Sequence, residues 1–476
     1  MADKFYITCA IPYVNAAPHV GHALEFVQGD TLARYQKLLG RDVLLLSGGD
    51  ENALKNVQAA QAAGMEAQQF VDRNTETFLQ LTRALHCQFD VWQKGSNQET
   101  HFPSSQKLWE LCNNAGDIYK KSYEGLYCVG CEAFYTPEEL NEKGECFEHP
   151  GKKLETVSEE NYFFALSKYQ KQLIELIASN TLRIAPGFRK NEILSFLKQP
   201  LADISISRSN ARAKNWGVPV PGDPSQRMYV WFDALNIYQS GVGFGWDESL
   251  YKKWWPADIH VIGKGITRFH AVYWPAFLLS ANLPLPKTIF AHGYFTVNGQ
   301  KMSKTLGNVI DPFQLIEKYG ADALRYYFLR EIPASADGDF SERRFKELYN
   351  ADLANGLGNL VARVAKLAAG ATHPPLSQSF SALASEEYKK AMEEFRFHDA
   401  IAFVWEKVRS TDQYINETTP WKLTGEELTK ALAPAVVAIT EIAVLLQPFL
   451  PETAEKILTQ LAGSTIKSGV PLFPRI

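Results

Sequence analysis

The chain has 476 residues, 46% of them hydrophobic, which is enough apolar side-chain volume for two or three domain cores rather than one. Lys plus Arg total 49 against 53 for Asp plus Glu, and a formal charge of −4 excludes a protein built as a whole to coat a polyanion, so any nucleic-acid site must be local. Six cysteines in so long a chain do not suggest a disulfide framework, and the run from Met1 into an apolar segment with no basic leader predicts a cytoplasmic protein.

In chain order, residues 5–11 are short and apolar, residues 20–39 have helical periodicity and end at Gly40, and residues 43–46 are a continuous apolar run. Strand, turn, helix, strand is the grammar of a first βαβ unit, and a strand apolar on both faces belongs inside a parallel sheet. From about residue 115 to 215 the pattern changes to a cysteine-rich knuckle, turn residues and a charged helical segment near 168–177, which reads as an insertion. The βαβ grammar returns with strands at 259–263 and 288–293 and a helix at 269–281 between them. Beyond about Ser341 the pattern is helical, interrupted at Pro374-Pro375, Pro420 and Pro448. Residues 431–450 are the most apolar late stretch, but they carry Glu441, Gln447 and two prolines, so a buried helix is expected and no membrane partner.

Three motifs carry chemistry. Pro18-His19-Val20-Gly21-His22 sits where the first strand turns into the first helix, the place where phosphate meets helix N-terminal amides. Gly21 admits a flat base or ribose close to the backbone, and two imidazoles can donate to phosphate oxygens as charge develops; taken alone, the histidines read equally well as helix-start residues. Gly299-Gln300-Lys301-Met302-Ser303-Lys304-Thr305 is a glycine-flanked loop whose Lys301 and Lys304 suit a breaking triphosphate, although most lysine-rich loops are merely solvated. Cys128-x2-Cys131-x14-Cys146-x2-His149 has the spacing of a closed tetrahedral Zn²⁺ site, structural rather than catalytic, pinning an insertion too small for its own core. Cys9, Cys87 and Cys112 have no such spacing and are expected to be buried.

HVGH at 19–22 and KMSKT at 301–305, in this order and this far apart, resemble the two signature motifs of class I aminoacyl-tRNA synthetases, in which both cradle ATP and stabilise the pyrophosphate-releasing transition state. Further segments resemble the methionyl-tRNA synthetases. In that resemblance Ala10, Ile11 and Tyr13 line the methionine pocket, Asp50 receives the ammonium, Trp231, Ala234 and Tyr238 form a second wall, and Phe269, His270 and Trp274 a third. Aromatic edges suit the polarizable thioether. The sequence departs from many relatives at Asn52 and Ala53, where they carry His and Gly, at Leu235 in place of Pro, and at Gly265 in place of Asp. An insertion of about a hundred residues leaves no room for the editing domain of the isoleucine, valine and leucine enzymes.

From Ser341 onward there are 15 Lys plus Arg against 16 Asp plus Glu, so composition marks no RNA site. The resemblance implies one: Asn359 and Arg363, four apart on one helix, and Trp421 as anticodon readers, with Arg208 in a substrate-contacting or linker role. It further implies His292 and Gly293 at the ATP with Gly21, His19, His22 and Lys304, and His19, His22, Lys301 and Lys304 as the catalytic set. The expected fold is α/β, a doubly wound parallel-sheet (Rossmann-like) catalytic domain split by a zinc-binding insertion and followed by an all-α helical bundle. The boundaries are 1–115 and 216–340 for the catalytic halves, 116–215 for the insertion and 341–476 for the helical anticodon-binding part. ATP, Mg²⁺ and one structural Zn²⁺, a methionine substrate, methionine tRNA and a monomeric state complete the expectation. A cysteinyl-type synthetase would instead present a metal to the substrate thiol, and a silent RNA-binding relative would have no use for both phosphate motifs.

Overall fold

The computed structural model describes residues 3–128, 133–135, 140–147, 151–302, 308–371, 379–461 and 465–476. Six strands build the central sheet: β1 Lys4–Cys9, β2 Asp42–Gly49, β3 Val91–Lys94, β4 Arg183–Ala185, β5 Ile259–Gly263 and β6 Thr288–His292. Their order is β3-β2-β1-β5-β6-β4 and every pairing is parallel. β6 is buried at all five positions and β2 at all but the first, which is why these strands read as unbroken apolar runs. The order reverses between β1 and β5, so the crevice beyond their carboxyl ends is the topological switch point of a doubly wound sheet. β4 falls within the segment read as an insertion. Three residues with an arginine at the edge carry no strand signal in the sequence, and only pairing with Thr288–Phe290 reveals them as sheet.

α1, Val20–Leu38, follows β1 and lies against the sheet through Ala23, Leu24, Phe26, Val27 and Leu32. An antiparallel sheet is built from Ile118–Cys128, Ala133–Tyr135 and Glu155–Phe164, which lie between β3 and β4, and from Ile204–Ser205, which follows β4. The charged helix expected near 168–177 is Gln170–Ala178. The helix expected between β5 and β6 is present in two parts, a π-helical turn Phe269–Tyr273 and an α-helix Trp274–Ser280.

After a small sheet closed by Gly338–Phe340 the chain is helical, with α2 Phe397–Thr418, α3 Gly425–Leu446 and α4 Pro451–Leu461 packed side by side. By length and composition α3 alone among the described helices could cross a membrane, and half of that apolar stretch is buried within the fold. It continues through Pro434, as the buried helix expected over 431–450 requires; a proline removes one helical hydrogen bond, and burial of Leu432, Ala435, Val436 and Ile439 offsets that loss. Pro448 does end the helix, and Pro374-Pro375 lie outside the described residues.

The helical part is fused to the sheet rather than hung from it. One continuous core runs from Ile7 and Val261 to Val404 and Ile439. Within it Arg325, fully buried, pairs through Nη2 with Asp30 of α1 at 2.7 Å and donates to the carbonyls of Phe449 at 2.8 Å and Leu85 at 3.2 Å. A buried ion pair with its donors this fully used is costly to break from one side, on the order of 3–5 kcal/mol.

Candidate active site

The turn from β1 into α1 is closed by imidazoles. His19 is the N-cap, with extended backbone, and its Nδ1 accepts from the Gly21 amide at 3.1 Å while Nδ1 of His22 accepts from the His19 amide at 3.1 Å. This is a capping box made of two histidines. Because each Nδ1 is used as an acceptor, each neutral ring carries its proton on Nε2, and the stacked rings, 3.9 Å between centroids, keep two N–H donors at the head of the helix. Burial, with His19 beside it, holds the His22 pKa well below its ordinary value, so that donor is a neutral one. A Cβ on Gly21 would lie 2.9 Å from the His19 ring. Glycine at this position therefore makes room for the folded-back cap, a closer neighbour than the ligand to which the sequence assigned it.

One turn further along α1, Glu25 does what no sequence signal announced. Its Oε1 accepts from the Ala10 amide at 2.8 Å and its Oε2 lies 2.9 Å from Nε2 of His292, whose Nδ1 faces the Gly293 carbonyl at 2.8 Å. A single buried carboxylate thus ties the end of β1 to the end of β6 across the switch point. The loop that follows β6 approaches from the same side. Val20 at the start of α1 donates its amide to the Ile310 carbonyl at 3.2 Å, and Met302 packs on the core that contains Val20. The exit of the lysine loop is therefore anchored beside the double-imidazole turn, and Met302 at its entrance packs on the same core. Lys304 and the Lys301 side chain themselves lie outside the described residues.

A second group of residues lines the other side of the crevice. Asp50, buried, ends β2, takes the Pro12 carbonyl with its amide at 2.9 Å and forms a parallel bridge with Tyr13. Tyr13 meets Trp231 edge-on at 6.4 Å, and Trp231 lies flat against Phe269 at 3.7 Å between centroids. Behind them the Tyr238 hydroxyl donates to Nε2 of His270 at 2.8 Å, since Nδ1 of that ring donates to the Ile266 carbonyl at 2.9 Å. Burial lowers the His270 pKa to about 4, so the ring is a neutral acceptor. Trp274 is fully buried against Tyr238, and Ala10 and Ala234 are buried nearby. Phe269 and His270 both fall in the π-helical turn, a widening that precedes Pro275, whose missing amide breaks the regular ladder. The structure thus brings together Tyr13, Asp50, Trp231, Tyr238, Phe269, His270 and Trp274, with Ile11 partly buried against the same core.

Two of the sequence departures have local causes. A Cβ at Gly265 would sit 1.7 Å from the Tyr294 hydroxyl, so the room for a larger side chain is already taken. Asn52 donates to Asp233 Oδ2 at 2.7 Å and to the Gly95 carbonyl at 2.7 Å, and the other oxygen of Asp233 pairs with Nε2 of buried His101, whose Nδ1 meets Ser240 Oγ at 2.8 Å. That network holds the helix carrying Trp231 and Ala234 against the Asp50 loop. Arg208 joins it, 5% exposed, with Nη2 3.4 Å from the Asn52 carbonyl. Ala53 and Leu235 are buried and make no polar contact through their side chains.

Elsewhere, Cys128 ends a strand and its Sγ lies 3.4 Å from that of Cys146, both buried and neither in a disulfide; Cys131 and His149 lie outside the described residues. Cys9, Cys87 and Cys112 are free and buried. On the helical part Asn359 is exposed and Arg363 is gripped by Asp412 at 2.6 Å and Asn416 at 2.9 Å, beside a cleft of about 350 Å³ lined by Asp412, Gln413 and Asn416. Trp421 is 49% exposed on the turn between α2 and α3.

A doubly wound sheet whose switch point gathers a double-imidazole helix start and the described exit of the lysine loop has the architecture of the class I tRNA synthetases. The family described as "tRNA synthetases class I (M)" matches residues 5–365, and the "Anticodon-binding domain of tRNA ligase" matches residues 380–472. The methionine–tRNA ligase of Brucella melitensis is 42% identical, over 99% of this chain and 98% of its own, and that of Thermotoga maritima 39% identical, over 99% and 80%. Among solved structures, Mycobacterium tuberculosis methionyl-tRNA synthetase in complex with methionyl-adenylate has a TM-score of 0.91 at 37% identity, covering 99% of this chain and 100% of that one. Its free-state form gives 0.84 at 34% identity, covering 100% and 99%. The chain belongs to the methionyl-tRNA synthetases.

Proposed function

We propose that this chain is a methionine–tRNA ligase whose first step is run by the residues around the switch point. A carboxylate oxygen of methionine attacks the α-phosphorus of ATP, the bond to the β-phosphate oxygen breaks, and methionyl-adenylate and pyrophosphate result. The terminal ribose hydroxyl of methionine tRNA then attacks the methionyl carbonyl and AMP leaves. No covalent enzyme intermediate is needed, so the rate comes from positioning and from charge stabilisation. His19 and His22 donate Nε2–H to phosphate oxygens, Lys301 and Lys304 neutralise the departing pyrophosphate, and His292 with Gly293 borders the nucleotide. Mg²⁺ accompanies the ATP.

Methionine lies along the aromatic wall, with its ammonium on Asp50, its thioether among Trp231, Phe269 and Trp274, and Tyr238 and His270 at the far end. The neutral state of His270 supports this reading, because a thioether is a weak acceptor that gains nothing from facing a buried charge. The observation that carries the whole is the Val20–Ile310 hydrogen bond, which fixes the exit of the lysine loop beside the imidazole pair. Pyrophosphate exchange with each of the twenty amino acids tests it: methionine alone should support exchange, and exchange with another amino acid, or with none, contradicts it.

The Cys128–Cys146 sulfur separation of 3.4 Å supports a structural zinc held with Cys131 and His149, since two thiolates on one tetrahedral zinc, each about 2.3 Å from the metal, lie roughly 3.8 Å apart. Such an ion would fix the hairpin of the insertion. Asn359, Arg363 and Trp421 would read the anticodon; the exposed indole and the adjoining cleft support that role. Elemental analysis for one zinc per chain tests the first, and charging of tRNA with altered anticodon bases the second.

A further inference from the structure

Away from the catalytic crevice, three side chains from three parts of the chain meet where the sheet and the helical part join. His86 lies on the loop before β3, Asp322 in the first turn of the helix Ala321–Arg330, and Glu452 in the first turn of α4. One donor atom from each lies within 4.8 Å of the others. Asp322 is the revealing member. It is 4% exposed, its Oδ2 accepts from the Thr453 amide at 2.6 Å, and its Oδ1 is buried with no hydrogen-bond partner. A buried carboxylate oxygen left bare forfeits its hydration without a replacement partner, and such an atom calls for a ligand. The nearest buried cation, Arg325, is already committed to Asp30 at 2.7 Å.

The other two members are free to close around an ion. His86 and Glu452 are each 41% exposed, with Nδ1 of one 3.8 Å from Oε2 of the other, while the second oxygen of Glu452 is engaged by Lys456 at 2.6 Å. His86 is in the left-handed region, φ 57°, and its carbonyl is held by Arg34 at 2.6 Å, which turns the imidazole toward α4 on a fixed backbone. A metal bound at about 2.1 Å from each donor needs donors roughly 3.0–3.4 Å apart, a closure within reach of two half-exposed side chains.

We propose that Nδ1 of His86, Oδ1 of Asp322 and Oε2 of Glu452 form a site for one divalent transition-metal cation, distinct from the cysteine knuckle and from the magnesium of ATP. One imidazole and two carboxylates suit manganese, cobalt or zinc, and the exposed side leaves water to complete the shell. The ion joins the loop before β3 to the start of α4, so it acts as a clip between the sheet and the helical part.

The test uses the full-length chain with its knuckle metal quantified and no nucleotide present, titrated with manganese alone. Electron paramagnetic resonance should show one manganese bound per chain beyond the knuckle, and thermal unfolding should shift upward by several degrees. His86→Asn, which keeps a residue tolerant of the left-handed backbone, and Glu452→Gln should each weaken binding by about tenfold or more and abolish the thermal shift. Asp322→Asn, which still accepts from Thr453, should do the same. No bound manganese at millimolar concentration, or equal binding in all variants, overturns the proposal. So does an equal loss of stability in His86→Asn with and without manganese, which would mark a plain His86–Glu452 ion pair.

Discussion

The two ends of this molecule are built on opposite terms. At the switch point the described functional side chains are buried or half-buried and cross-braced: His19 and His22 cap each other, Glu25 spans β1 and β6, and Asp233 locks the Trp231 helix to the Asp50 loop. On the helical part the candidate RNA readers lie at the surface, with Asn359 exposed, Trp421 half-exposed and Arg363, partly buried, held by Asp412 and Asn416. The difference teaches where precision is needed. A transition state whose charge develops at fixed atoms requires donors set in advance, whereas a single-stranded loop brings its own bases and asks only for a face on which to stack.

Substitutions at the two ends should therefore behave differently. The largest effect is expected at Lys304. Lys304→Ala should slow methionine-dependent pyrophosphate exchange by about 100-fold or more while methionine binding, followed by tryptophan fluorescence, changes little; an unchanged exchange rate would remove the lysine from the mechanism. Glu25→Gln keeps an acceptor for the Ala10 amide but faces an amide toward His292, so exchange should fall by roughly tenfold to 100-fold, mainly in kcat. A loss confined to thermal stability would make Glu25 only a brace.

The buried histidines predict a pH dependence next. His270, with a pKa lowered to about 4, and His22, also lowered, stay neutral in the folded chain at pH values where the unfolded chain takes up protons. Stability is thus fully present above about pH 6.5 and is lost as pH falls toward 4, with His270 accounting for up to about 3 kcal/mol. Urea midpoints between pH 7 and 4.5 should fall accordingly, and His270→Gln should flatten the slope. The smallest effect is expected at the exposed end: Trp421→Ala should reduce tRNA charging by about tenfold and leave pyrophosphate exchange intact. Equal loss of both reactions would make Trp421 structural.

Much of this was legible in the sequence, and the reason is physical. Strands buried on both faces must be apolar throughout, so β1, β2, β5 and β6 announced themselves, and a helix covering a sheet must show its period, as α1 does. The HVGH and KMSKT segments could be placed because the chemistry needs those residue types at the mouth of the sheet. What stayed hidden depends on partners distant in sequence. Glu25 looks like any helix glutamate until Ala10 and His292 are brought to it, and His101 gains meaning only opposite Asp233. β4 is three residues whose strand character lies in its neighbour. Gly265 reads as a loss by comparison with relatives, yet Tyr294 already fills the space.

The central claim, that the imidazole pair and the lysine loop act on one triphosphate, is tested most directly by a double-mutant cycle. Rates of methionyl-adenylate formation are measured for the parent chain, His22→Asn, Lys304→Ala and the double variant. Convergence predicts that the two losses are not additive, with a coupling of about 1 kcal/mol or more. Losses that add within about 0.3–0.5 kcal/mol would mean that the two segments act on separate groups, contrary to the convergence derived from the Val20–Ile310 contact.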